Sequence, residues 1–134
     1  MRNLISLSLA ILLLAGCKKE NSSKPIVYYK VKYEITSSDP TSVIMVSFTK
    51  PDGKDSTANP GLIPPLVDVP WTYQNNFYVD NSSDPPKGKV GFTVLDNQAG
   101  LLTERIYVND QVVSEAKSTS IDNLVGVRLS YDLK

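Results

Sequence analysis

Val125, Val127, Leu129, Tyr131 and Leu133 are apolar at every second position, with Arg128, Ser130 and Asp132 between them. A period of two sends alternate side chains to opposite faces of an extended chain, so this segment predicts a strand with one dry face and one wet face. The same rule governs most of the sequence. Val27, Tyr29, Val31, Tyr33 and Ile35 share a face opposite Lys30, Lys32, Glu34 and Thr36. Ile44, Val46 and Phe48 form a second stripe, and Val43 and Met45 leave its other face apolar too, which predicts a central strand. Further stripes run through Trp71, Tyr73, Phe77 and Val79, through Val90, Phe92 and Val94, and through Leu102, Ile106 and Val108.

The stripes are punctuated by turn chemistry. Ser38-Asp39-Pro40 reverses the chain, Pro51-Asp52-Gly53 supplies a turn in which Gly53 is free to take positive φ, and Asn109-Asp110 fits a two-residue hairpin. No segment after Cys17 carries the i, i+3, i+4, i+7 spacing of an amphipathic helix, and no repeat is present. About seven antiparallel strands therefore predict an all-β, two-sheet sandwich, with a small β-barrel as the alternative.

The first residues follow a different rule. Arg2 precedes an apolar run from Leu4 to Ala15, and polarity returns abruptly at Lys18. A dozen apolar residues is short of the roughly 20 needed to span a bilayer, but suits a secretory signal. The quartet Leu14-Ala15-Gly16-Cys17 resembles the lipobox of bacterial lipoproteins. The resemblance implies a diacylglyceryl group on the Cys17 sulfur, cleavage between Gly16 and Cys17, and acylation of the new amine. Stable anchoring needs at least two membrane signals, and several chains on one residue supply them. The division expected is a signal peptide over 1–16, an acylated Cys17 and polar tether over 17–24, and a β-sandwich domain over 25–134. In the lipoproteins this quartet resembles, a lysine such as Lys18 after the cysteine favours passage to the outer membrane; the tether, with Glu20 its one acid, leaves the membrane face open. Cys17 is the only cysteine, so this assignment uses up the thiol and leaves no disulfide, nucleophile or thiolate ligand.

"VKYEITSS" (31–38), "DVPWTYQNNFYVD" (68–80) and "ERIYVNDQVVSEAKSTS" (104–120), followed by a closing strand, resemble the MmpS-type domain of mycobacterial small membrane proteins and short bacterial lipoproteins. The resemblance implies an immunoglobulin-like β-sandwich and a place beside a transport complex, since mycobacterial members assist lipid-exporting transporters. It brings no catalytic residues. This chain departs from the pattern in having a lipobox instead of a transmembrane helix, and in the insertion "NPGLIPPLVDVP" (59–70).

Composition narrows the chemistry further. Fourteen basic residues balance 14 acidic ones, which argues against a nucleic-acid surface or a polybasic membrane patch. There is no histidine, so a serine triad of the usual kind cannot form. The acids are scattered singly, the pattern of solvated surface charge. Asp52 and Asp55 in "PDGKD" lack the alternating acids and closing glutamate of a calcium loop, and a backbone turn explains them better. No catalytic residue, metal site or cofactor is expected, and the chain reads as a non-enzyme.

Several residues resist the simple pattern. Glu104 falls on the apolar face between Leu102 and Ile106; it is expected near the strand's start, where that face still meets solvent, with a partner such as Arg128 or Arg105 as the alternative. Leu62, Ile63, Leu66, Val67 and Val69 lie in a proline-rich loop. They are expected to fold back over an open edge; the functional alternative is an exposed loop that docks on a partner or holds an acyl chain. Tyr29, Tyr33, Tyr73 and Tyr131 fall on core faces with hydroxyls directed to an edge, while Tyr28, Tyr78 and Tyr107 point outward, where packing is the default and stacking on sugars the alternative. Asp55-Ser56-Thr57 matches a bacterial O-glycosylation sequon, with Ser56 the acceptor and a plain loop the default reading. The functional expectation is an envelope interaction or accessory module, anchored through Cys17 and without a named small-molecule ligand. Its alternatives are a carrier of lipid or another apolar ligand, and a glycan-binding or glycan-processing protein.

Overall fold

The computed structural model describes residues 26–79, 88–96, 100–119 and 126–134. Gly16 and Cys17, the residues of the lipidation reading, lie outside them. The described strands are β1 (Val27–Ser37), β2 (Val43–Thr49), β3 (Asp55–Thr57), β4 (Leu66–Asp68), β5 (Trp71–Val79), β6 (Lys89–Asp96), β7 (Leu101–Val108), β8 (Gln111–Thr119) and β9 (Gly126–Asp132). They form two antiparallel sheets. One has the order β5-β1-β7-β8; the other has the order β3-β2-β6-β9, with β4 also paired to β2. The sheets stay open, with β5 and β8 the edges of one and β9 and the β3/β4 pair the edges of the other, so the fold is a sandwich rather than a barrel.

The seven longer strands are those the alternation predicts. β3 and β4 were not expected as strands; each has three residues, and together they cover the side of β2 opposite β6. Strands β1 and β5 pair in one sheet while β2 and β6 pair in the other, which is the interlocked frame of immunoglobulin-like sandwiches. One position is filled differently. The place beside β1 that an immunoglobulin domain gives to its first strand is taken by β7, so the β7–β8 hairpin enters the sheet from a point in sequence between β6 and β9.

The inward stripes meet in a core whose centre is Tyr33, fully buried with Val31, Ile35, Ile44, Val46, Val79 and Ile106. Its ring packs on Phe92 at 5.4 Å, Tyr73 at 5.9 Å, Phe48 at 6.2 Å and Phe77 at 6.3 Å between centroids. The hydroxyl does not reach an edge of the sandwich. It enters the seam between β2 and β6, where their pairing stops at Phe48–Phe92. There it donates to the Thr49 carbonyl at 3.0 Å and accepts from the Gly91 amide at 3.3 Å. A side chain from one sheet thus satisfies two backbone groups of the other. Burial, with lesser help from Tyr73 and Asp55, raises this phenol well above its ordinary 10.0, against a smaller lowering by the Gly91 amide.

The turns follow their sequence chemistry. Gly53 has φ 76°, the Lys50 amide bonds the Lys54 carbonyl at 2.8 Å, and the Asp52 carboxylate accepts from the Lys54 amide at 3.1 Å. Asn109 and Asp110 take φ values of 50° and 66°, the left-handed pair of a type I′ hairpin.

Glu104 departs from expectation. It is completely buried in mid-strand, opposite Ile35 on one side and Ala116 on the other, and so does not sit at a solvent-facing strand start. Ser118 Oγ donates to its Oε1 at 2.9 Å. Arg105 cannot serve as the partner because, one residue along the strand, it faces the opposite side. There it pairs with Glu34 and Glu115.

Candidate functional site

The β3–β4 connection is built by its own backbone. The Ala58 amide bonds the Val46 carbonyl at 2.9 Å and so continues the edge of β2. Asn59 turns left-handed at φ 51°, its side-chain amide donates to the Leu66 carbonyl at 3.0 Å, and the Leu62 amide closes on the Asn59 carbonyl at 3.1 Å. Pro60, Pro64 and Pro65 fix φ within this frame. The aliphatic set then divides. Val67 and Val69 join the core and Leu66 is half-buried, whereas Leu62 is 55% and Ile63 100% exposed. The sequence offered covering and display as alternatives; the loop does both, its second half covering the sandwich edge and its tip reaching water. Exposing a large aliphatic forgoes about 1.5–3 kcal/mol of burial, so the tip gives up stability that the rest of the loop gains.

The outer face of the β5-β1-β7-β8 sheet carries a polar ladder. Glu34 is its hub. It accepts from Lys32 Nζ at 2.8 Å and from the Tyr107 hydroxyl at 2.7 Å, and pairs with Arg105 Nη1 at 3.4 Å. Arg105 Nε also reaches Glu115 at 2.6 Å, and Lys32 Nζ lies 3.9 Å from the centroid of the Tyr107 ring. The bond from Lys32, then that from Tyr107, holds the Glu34 carboxyl below its ordinary value of 4.5, and the bond to Glu34 raises the Tyr107 phenol. Arg105 lowers Glu115 in the same way. Two carboxylates held below their ordinary value, Glu34 chiefly by Lys32 and Tyr107 and Glu115 by Arg105, are poorly suited to general-acid work, which needs a carboxyl that keeps its proton near neutral pH.

At the end of this sheet where β1 begins, Tyr28 and Tyr78 are register partners on the outer face, 67% and 53% exposed, and Ile26 beside them is 54% exposed. β7 pairs with β1 only from Val31 onward, so this end projects as a two-stranded β1–β5 ribbon.

The outer face of the other sheet holds a polar groove of about 290 Å³. Ser47, Thr49, Thr93, Ser130, Arg128 and Asp55 line it, with Gly91 among them. A Cβ at Gly91 would lie 2.6 Å from the Leu129 carbonyl oxygen, so glycine is required there for the close approach of β6 and β9. Thr49 Oγ1 donates to Asp55 at 3.0 Å.

Of the loop residues singled out by sequence, only Leu62 and Ile63 stand exposed together. Leu66 and Val67 belong to β4, and Ser56 lies in edge strand β3, opposite Phe48 and half-buried. The Glu34 hub, the Tyr28–Tyr78 pair and the groove were not foreseen as units, because each depends on which strands become neighbours. Lys32 and Glu34 on one face were the single local hint of the first. Among the described residues no group of three or more Cys, Asp or Glu side chains is placed to hold a metal ion, and no helix is long and apolar enough to cross a membrane. Asp52 and Asp55 of the faint calcium motif bond instead to the Lys54 amide and the Thr49 hydroxyl. Comparison with protein-family models and with curated proteins finds no match.

Proposed function

We propose that the chain is a lipid-anchored, non-catalytic interaction module of the bacterial cell envelope, at the outer membrane, working beside a transport-type complex. Acylation of Cys17 after cleavage behind Gly16 holds it at the membrane, and the loop tip Leu62–Ile63 contacts a protein partner. The lipobox-like quartet and the resemblance to the MmpS-type domain support the anchored, accessory role. The observation that carries the contact is the division of labour in the loop: Val67 and Val69 are in the core while Ile63, a few residues away, is fully exposed on a proline-framed turn. A fully exposed β-branched aliphatic on a constrained backbone loses little entropy when a partner covers it.

The test places a photo-crosslinking amino acid at Ile63 in cells. A discrete protein adduct is expected, lost when Leu62→Ser is added and lost when Cys17→Ala releases the chain from the membrane. Absence of any adduct from a variant that melts like the parent removes the loop from the proposal. Failure of Cys17 to incorporate a clickable fatty acid removes the anchor.

A further inference from the structure

We infer that the ribbon end bearing Ile26, Tyr28 and Tyr78 is a membrane-contacting surface that stands the domain on the lipid headgroups. The inference rests on the anchoring of Cys17 proposed above and adds to it an orientation. The patch is exposed, contiguous and made of side chains suited to that position. Tyr28 and Tyr78 are direct partners across β1 and β5, and Ile26 is the first described residue of the chain. Tyrosine pairs an apolar ring with a polar hydroxyl, which is why it collects at membrane–water interfaces. The next row along the ribbon is Lys30 and Asn76, so hydrogen-bonding and charged groups lie directly behind the aromatic row.

Covalent reach favours this end over the far end of the sandwich. The segment from Cys17 to Pro25 spans at most about 30 Å at roughly 3.5 Å per residue, whatever its conformation. Strand β1, with 11 residues, is about 36 Å long at about 3.3 Å per residue. The anchor therefore enters at the patch and cannot be carried past the far end of the domain. Charge points the same way. Lys50, Lys54, Lys89 and Lys134 lie at the tethered end with Asp52 and Asp132, and the exposed Lys30–Asp110 pair beside them is neutral. The far end carries Asp39 in the β1–β2 turn and Asp68 at the end of β4, which an anionic surface repels, together with the cation Lys117 on β8. Three side chains would bind a free membrane weakly. A short tether raises their effective concentration at the surface to the millimolar range, where a weak contact is populated.

The experiment uses the full lipidated protein in vesicles of phosphatidylethanolamine and phosphatidylglycerol. With Cys17 acylated, one introduced cysteine is the only free thiol, so a spin label can be placed at Asn76→Cys beside the patch or at Lys117→Cys towards the other end of the same sheet. After flotation, the label at 76 is expected at headgroup depth by oxygen and nickel accessibility, and the label at 117 in water. The difference should disappear in a Tyr28→Ser/Tyr78→Ser background whose melting curve is unchanged. Floated protein with both labels equally in water overturns the orientation and leaves the anchor standing. Protein that does not float overturns both. Shielding of the label at 76 by added peptidoglycan fragments, and not by vesicles, overturns the inference in favour of glycan binding by the tyrosine pair.

Discussion

Glu104 occupies a place that alternation reserves for hydrocarbon, and the stability of that place is local. A buried carboxylate is tolerated when its lone pairs are met, and Ser118 meets one of them at 2.9 Å. Removing the partner of a buried polar group costs about 1–3 kcal/mol, and the half-buried Ser118 leaves room for water to recover part of it. Ser118→Ala is therefore expected to lower unfolding free energy by about 1–2 kcal/mol in urea titration, with an unchanged slope against denaturant. A neutral outcome would show that this bond does not support the buried acid. The residue scale is also where sequence reading failed for a physical reason. Alternation says which face Glu104 occupies, but only the neighbours Ile35 and Ala116 say whether that face is open to solvent at that height.

At the scale of elements, local chemistry and pairing separate cleanly. The β7–β8 hairpin is local. Asn109 and Asp110 tolerate the left-handed pair of φ values, and Asn109 Oδ1 also accepts from the Lys30 amide at 3.1 Å, tying the turn to β1. Asn109→Ala loses the tolerance and the acceptor together, and is expected to cost about 1–2 kcal/mol in thermal or chemical melts. Asn109→Gly keeps the tolerance and should recover about half of that loss; equal losses in the two would mean that backbone strain is irrelevant there. Such turns, and the stripes they join, were readable because each depends on residues close in sequence. β3 and β4 were not, because three residues have no period to read and their extended form comes from pairing with β2. The same limit applies to the candidate surfaces. Lys32 and Glu34 are two residues apart on one face, but Arg105 and Tyr107 join them only through the β1–β7 register, and Tyr28 meets Tyr78 only through β1–β5. The loop tip was visible as a greasy insertion, while its division into covered and displayed halves depended on which residues β2 could pair.

For the molecule as a whole, ionisable groups set a pH window for folding, and its two limits have different origins. On the acid side, Glu34 and Glu115 are held below their ordinary 4.5 by Lys32, Tyr107 and Arg105. A depressed folded value means that their contribution is present above 4.5 and is lost as pH falls through the lower folded value. These are surface groups, so the loss should be shallow and reduced by salt. The alkaline side rests on the core. Tyr33 is raised above 10.0 because its phenolate would sit in a dry interior. A raised folded value means that its stabilisation is intact below pH 10 and is lost as pH climbs towards the folded value. Ionisation there would also remove the donor to the Thr49 carbonyl and place a charge between the sheets, so the failure should be cooperative across the whole sandwich. Melting temperature followed from pH 7 to 11 should fall above pH 10 in the parent. Tyr33→Phe should start lower, having lost two bonds at the β2–β6 seam, but decline less steeply over the same range, because the buried titrating group is gone. Parallel curves for the two proteins would place the alkaline transition on the surface tyrosines and lysines and remove Tyr33 as its cause.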